Sequence, residues 1–193
     1  LDVTNEKWRR QTGCVLAGTT SMYCGLTNAE AGLRNWAAGS GYGNNWDTRM
    51  SREFNYNGTG SVTLQYQFLY DTEPSYDYAI GSITVGSTTS NFAVYDGSAT
   101  TGTENIDLTP YLSGAGPYTI SFRVTSDGAW SDEDGSNATA CGALVLDNIS
   151  VVGGGENHLA DFEVREDGWA EDLSPPMEYF LVENRQPIGS DVN

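Results

Sequence analysis

Apolar and polar side chains alternate along several short stretches of the chain, a pattern typical of β-strands with one buried face. In residues 61–70 the side chains at even-numbered positions are all apolar, and the same holds from position 118 to position 124 within residues 116–128. Residues 142–155 form an almost continuous apolar run that ends in three glycines. We therefore predict strands in these three stretches.

Shorter stretches of the same kind predict further strands, in residues 78–85, 91–97 and 102–112. A weak helical pattern occurs only in "AEAGLRNW", residues 29–36. Many short strands separated by polar turns favour an all-β fold with two packed antiparallel sheets. We predict a two-sheet β-sandwich of the jelly-roll type.

Gly153 to Gly155 mark a change in composition, after which the chain is richer in charged residues and contains the pair Pro175–Pro176. We therefore divide the chain into a sandwich module, residues 1–153, and a C-terminal extension, residues 154–193. The extension is too short for a core of its own, so it either docks on the sandwich or belongs to a further domain. Its stretch "MEYFLVENRQ" predicts one strand.

The charge balance excludes several classes of partner. Acidic residues number 26 and basic residues nine, giving a net charge of −17, so we expect no nucleic-acid ligand. An anionic membrane surface is disfavoured for the same reason, and no apolar stretch is long enough to span a membrane. The chain starts "LDVTNEKW", without a signal sequence, as expected of a mature product or an excised fragment.

Three cysteines are present, and two of them lie ten positions apart across a turn rich in Gly, Thr and Ser. We predict a disulfide between Cys14 and Cys24, which would leave Cys141 over. The pairs Cys14–Cys141 and Cys24–Cys141 remain open, because spacing alone does not choose between them. A disulfide indicates an oxidising, extracellular location.

Four segments, in this order, resemble the MAM-like modules of secreted bacterial proteins: "YCG…GYGNNWDTRM", "LQYQFLYDTEPSYDYAIGSITV", "SDGAWSDEDGS" and "LVLDNISV". These modules are concanavalin-like β-sandwiches, found among others with immune-inhibitor-A-type (M6 family) metalloproteases. The stretch "EYFLVENRQPIG" resembles one that such proteases carry nearby. The resemblance implies a secreted, calcium-stabilised accessory domain. The zinc motif HExxH of those proteases does not occur in this chain. We therefore expect that the chain itself catalyses no reaction.

The acidic loop, residues 126–137 with the sequence "SDGAWSDEDGSN", is the first candidate metal site. Asp132, Asp134 and Asn137 surround Gly135 with the spacing D-x-D-G-x-N of a calcium-binding turn. The alternative is a solvated acidic turn without an ion, and the resemblance favours calcium.

A second cation would be shared by carboxylates outside that loop. A buried carboxylate in the last core strand, Asp147, needs a metal, an arginine or several backbone donors. The candidate ligands are Asp71, Glu73, Asp77, Asp147 and Asp47. The alternative is that these carboxylates cap turns or pair with Arg49 or Arg123. We expect one or two structural Ca²⁺ ions in total.

Several aromatic side chains fall in polar or glycine-rich loops, where they could stack on sugar rings or anchor a protein partner. Filling the open ends of the sandwich is the alternative role. The candidates for ligand contact are Trp36, Tyr42, Trp46 and Trp130.

Together these features lead us to expect a non-catalytic module that serves adhesion, targeting or folding support in a larger extracellular protein. Its partners would be other domains of that protein and a glycan or protein ligand. A carbohydrate-binding module is one alternative. The other is a structural subunit of an extracellular filament or surface layer, which assembles with its own copies by donating the strand "MEYFLVENRQ".

Overall fold

The computed structural model describes residues 6–172 and contains two antiparallel sheets and little helix. The strands are β1 (Trp8–Gln11), β2 (Ser21–Cys24), β3 (Asp47–Tyr56), β4 (Val62–Tyr70), β5 (Tyr78–Val85), β6 (Thr88–Tyr95), β7 (Thr100–Asp107), β8 (Gly116–Thr125), β9 (Leu144–Gly153), β10 (Glu156–Ala160) and β11 (Ala170–Glu171). One short helix, α1 (Asn28–Leu33), and a 3₁₀ turn, Thr109–Tyr111, complete the list. Within the described part of the chain, no helix has the length and apolar character needed to cross a membrane.

Sheet 1 has the strand order β1-β2-β9-β4-β7, with β10 also paired to β9, and sheet 2 has the order β11-β3-β8-β5-β6. Most connections pass from one sheet to the other, as in jelly-roll sandwiches. Side chains of both sheets meet in a single core; Tyr66 of β4 and Phe122 of β8 pack edge to face with ring centroids 5.0 Å apart. The predicted all-β, two-sheet antiparallel sandwich is confirmed.

The alternating stretches are strands with the predicted buried faces. Tyr118, Ile120, Phe122 and Val124 of β8 are at most 1 % exposed. The nearly continuous apolar stretch is β9, at the centre of sheet 1. The sequence analysis missed β3, in which Asp47, Arg49 and other polar residues alternate with only a few buried apolar side chains.

The part of the C-terminal extension that the structure describes packs on the sandwich. β10 forms a hairpin with β9, and β11 pairs with β3. Between them, Phe162 and Trp169 are buried in the core at 0 % and 2 % exposure. The hairpin turn requires glycine at Gly153, where φ is +100° and a Cβ atom would lie 2.0 Å from the carbonyl oxygen of Ser61. The predicted strand "MEYFLVENRQ", and with it the predicted strand donation, lies outside the described residues.

The disulfide joins Cys14 to Cys141, so the predicted Cys14–Cys24 pair is wrong. Cys24 is free and fully buried, because it lies in β2 and contributes its side chain to the sandwich core. Cys14 precedes β2 and Cys141 precedes β9, and these two strands are neighbours in sheet 1. Strand pairing between distant segments, which spacing along the chain does not reveal, therefore decides the connectivity.

Candidate functional site

Three connections meet at one end of the sandwich: residues 34–46 before β3, residues 71–77 between β4 and β5, and the acidic loop after β8. The sheet registers place them there. Thr125 at the end of β8 pairs with both Asp47 and Tyr78, the first residues of β3 and β5. Tyr70 at the end of β4 pairs with Leu144, the first residue of β9. Polar side chains far apart in sequence are thus gathered at this end.

The hydroxyl group of Tyr42 connects the three segments. Tyr42 is fully buried, and its hydroxyl donates to Asp77 Oδ2 at 2.8 Å. The same oxygen accepts hydrogen bonds from the backbone N–H of Glu73 at 3.0 Å and from Nδ2 of Asn137 at 3.1 Å. Tyr42 therefore acts inside the protein, as an anchor for the surrounding loops.

Three carboxylates form a cluster beside this hydroxyl. Oxygen atoms of Glu73, Asp77 and Asp127 lie within 4.8 Å of one another. Asp77 is fully buried, Glu73 is partly buried and Asp127 is exposed, so the cluster opens to solvent on one side. The backbone N–H of Asp127 donates to Asp77 Oδ1 at 2.9 Å, which holds the end of β8 against the start of β5.

Electrostatics disfavour the ionised form of this cluster when it stands alone. Burial raises the pKa of Glu73, and the charges of Asp77, Asp127 and Asp134 raise it further. Burial also raises the pKa of Asp77, although hydrogen bonds from the Asp127 N–H and the Tyr42 hydroxyl partly offset this effect. A positive charge at the cluster would relieve both effects.

The donor set of the cluster fits a hard cation. All of its side-chain ligands are carboxylate oxygens, the type preferred by Ca²⁺ and Mg²⁺, and no histidine or cysteine takes part. Ca²⁺ tolerates irregular geometry and six to eight oxygen ligands, which three carboxylates and solvent can supply together.

The other carboxylates of the acidic loop do not join the cluster but fix the loop itself. Asp132, fully buried, accepts hydrogen bonds from the backbone N–H of Tyr42 at 2.9 Å and from the N–H of Thr139 at 2.7 Å. Burial opposes ionisation of Asp134, but hydrogen bonds from Ser136, Asn44 and Trp130 outweigh it and lower the pKa of Asp134 to about 2. Repulsion within the loop is thus balanced mainly by backbone donors.

The remaining candidate ligands have separate partners. Asp147 is 1 % exposed and accepts hydrogen bonds from the Ser21 hydroxyl at 2.6 Å and from the N–H groups of Ala17 and Asn148. Burial raises the pKa of Asp147, and these donors partly offset the rise. A metal ion, an arginine or several donors could satisfy a buried carboxylate here, and Asp147 has several hydrogen-bond donors.

Asp47 forms an ion pair with Arg123 at 2.6 Å, which was the alternative to metal binding. Asp71 is partly buried, and burial raises its pKa while the backbone of Ala99 opposes the rise. Of the five proposed ligands of the second cation, the structure thus brings only Glu73 and Asp77 together. It adds Asp127, which the sequence analysis placed in the acidic loop without a role.

Among the aromatic candidates, Trp36 and Trp46 share a cavity. This pocket has a volume of about 370 Å³, and the two ring centroids lie 5.9 Å apart. Trp130 is 57 % exposed, and its backbone N–H donates to Asp134. From the sequence, a loop aromatic either contacts a ligand or fills an open end of the sandwich. Tyr42, which is fully buried, fills one end.

Replacing Tyr42 by phenylalanine tests the role of the hydroxyl group. We expect the Tyr42→Phe variant to lose about 1–3 kcal/mol of unfolding free energy, because Asp77 and the Glu73 N–H lose a buried partner. Urea unfolding measures the loss. Tyr76→Phe is the matched control, since Tyr76 is 61 % exposed. Equal stability of Tyr42→Phe and the wild type would show that the hydroxyl does not organise this end of the sandwich.

The resemblance to MAM-like modules rests on the short motifs quoted above. A search against protein-family models found no model that matches the chain, and a search of curated proteins found no match either.

Proposed function

We propose that this chain is a non-catalytic, calcium-stabilised β-sandwich module of a larger extracellular protein, with a role in adhesion or targeting. The single observation that carries the proposal is the meeting of Glu73, Asp77 and Asp127 within 4.8 Å at the end of the sandwich. In this proposal one Ca²⁺ binds there and joins the β4–β5 connection to the acidic loop.

The charge around the cluster supports a cation. The neighbouring charges that act on Glu73 are all negative. Ion pairs found elsewhere in residues 6–172 use other carboxylates: Glu30 with Arg9, Asp47 with Arg123, and Asp167 with Arg165. A bound divalent ion would neutralise the cluster and remove the penalty for its ionised form.

The disulfide supports the extracellular part of the proposal. Disulfides persist in oxidising compartments and are rare in the cytosol of most organisms. The Cys14–Cys141 bond ties the segment before β2 to the segment before β9. The resemblance of the quoted motifs to secreted MAM-like modules supports the same location.

Thermal unfolding in excess EDTA and in millimolar Ca²⁺ tests the proposal. At a free concentration of one hundred times Kd, calcium should stabilise the protein by about 2.7 kcal/mol, a rise of several degrees in Tm. The informative variant is Asp127→Asn. Asparagine can still accept the hydrogen bond that Asp127 Oδ1 accepts from the Ala129 N–H, so the loop should keep its shape.

We expect Asp127→Asn to be at least as stable as the wild type in EDTA, because one charge that repels Glu73 is gone. In calcium the same variant should gain much less than the wild type. Glu53→Gln, which removes one exposed charge on β3, is the control and should respond to calcium as the wild type does. An equal calcium response of Asp127→Asn and Glu53→Gln would refute the proposed site.

A further inference from the structure

The acidic loop, which contributes Asp127 to the calcium cluster proposed above, also contributes Glu133 to a polar pocket. Its volume is about 370 Å³, within the range of about 300–1,000 Å³ usual for small-molecule sites. Its walls come from the N-terminal segment, from residues 34–46 and from the acidic loop. The lining residues used in the argument are Lys7, Arg34, Trp36, Asn45, Trp46 and Glu133.

The aromatic part of the wall is closely packed. Trp36 and Trp46 are tilted by 46° with ring centroids 5.9 Å apart. Gly43 lies against both rings, since a Cβ atom there would be 2.7 Å from each indole. The two rings are therefore held in position before any ligand arrives, which lowers the entropic cost of binding.

The acidic loop holds the opposite wall. Glu133 Oε2 accepts a hydrogen bond from the backbone N–H of Asn44 at 2.9 Å, and the Glu133 carbonyl accepts one from the N–H of Ala37 at 3.0 Å. The backbone N–H of Asn45 donates to the carbonyl of Asp127 at 2.5 Å. The pocket thus has a fixed shape although loops form it.

Two basic side chains line this pocket, against one acidic side chain, Glu133. The whole chain has nine basic residues and a net charge of −17, yet Arg34 and Lys7 line the same cavity. Within residues 6–172, no ion pair or side-chain hydrogen bond engages the guanidinium group of Arg34. Lys7 Nζ lies over the Trp46 ring, 5.4 Å from its centroid. Burial lowers the pKa of Lys7, and the like charge of Arg34 lowers it further despite the opposing effect of Glu171.

We propose that this pocket binds one acidic sugar unit, a hexuronate, at the end or along the chain of a glycan. The sugar carboxylate pairs with Arg34, whose planar guanidinium matches a carboxylate in two hydrogen bonds. The apolar face of the sugar ring packs on Trp36, which the buried Trp46 holds in place, and the hydroxyl groups bond to Asn45 and Glu133. This inference rests on the binding role in the proposed function and adds its ligand class, but it does not require calcium.

The test is an NMR titration of the whole chain with D-glucuronate and D-galacturonate, with glucose and galactose as neutral controls. A ligand of this size is expected to bind with a Kd of about 1 mM. Arg34→Gln should weaken uronate binding about tenfold or more. Arg49→Gln, which removes an exposed arginine of β3 outside the pocket, should leave the Kd unchanged.

A second variant, Trp36→Ala, should weaken binding of the uronate as well, because it removes ring contact without changing charge. The inference would be overturned if neither uronate bound, or if the neutral sugars bound equally well. An unchanged Kd for the uronates in Arg34→Gln would overturn it as well. The titration is run in calcium and repeated in EDTA. Calcium stabilisation without uronate binding would overturn this inference alone, whereas uronate binding without a calcium response would support it and contradict the calcium site.

Discussion

Replacing Cys14 and Cys141 together by serine is expected to lower the unfolding free energy by about 4–5 kcal/mol. The disulfide closes a loop with a sequence separation of 127 residues, and chain-entropy arguments give long loops the largest effect. Such a loss is a large part of the stability of an ordinary domain. Denaturant unfolding of the wild type and of the double variant under non-reducing conditions measures it.

Cys24→Ala is the control for this experiment. Cys24 is buried and free, so its replacement costs only packing, about 1 kcal/mol. Alkylation of the unfolded, unreduced protein should label Cys24 and leave the other two cysteines unmodified. A loss in Cys24→Ala as large as in the double variant, or labelling of Cys141, would contradict the connectivity.

Truncating Trp169 to alanine is expected to cost about 3–5 kcal/mol. Trp169 is 2 % exposed and packs against Phe122 of β8 and Phe54 of β3, with ring centroids 5.7 Å and 6.1 Å away. The residue belongs to the C-terminal extension but fills the core between the sheets. Urea unfolding provides the measurement.

Val164→Ala is the matched control in the same segment, because Val164 is 83 % exposed and surface changes usually stay within about 0.5 kcal/mol. If Trp169→Ala were as stable as Val164→Ala, the packing of Trp169 would not contribute to the stability of the sandwich core. The expected difference would instead make the described part of the extension necessary for the stability of the fold.

The fold class could be predicted because buried strands leave a period-two pattern in the sequence. β4 and β8 show that pattern, and β9 shows a nearly continuous apolar run, as a central strand does. β3 was missed because the polar residues Thr48 and Arg52 stand at its even-numbered positions, where the buried apolar side chains of the strand also lie, so the apolar face is interrupted. The short strands β1 and β2 are too brief to show any period.

The candidate site was predictable in part. The sequence shows the carboxylates of residues 71–77 and of the acidic loop, but pairing of β5 with β8 decides which of them meet. That pairing places Asp127 next to Asp77. Asp147 instead accepts a hydrogen bond from Ser21, because β9 lies beside β2. The same reasoning explains the disulfide. Contacts between distant segments follow from sheet order, and sheet order has no local signature in the chain.

The tryptophans of the loops show the same limit. Trp36 and Trp46 looked like Trp130 in the sequence, as tryptophans in polar loops. Only the fold separates the two that share a pocket with Arg34 from the one that stands in solvent. The acidic loop contributes to both candidate sites. Asp127 belongs to the carboxylate cluster, and Glu133 lines the pocket.

Calorimetric titration of the metal-free chain with Ca²⁺ tests the central claim most directly. We predict a single binding event for the wild type and for Glu53→Gln. For Asp127→Asn we predict a calcium affinity at least about tenfold weaker, because this variant loses one charged ligand. Absence of calcium binding by the wild type, or an unchanged affinity in Asp127→Asn, would contradict it.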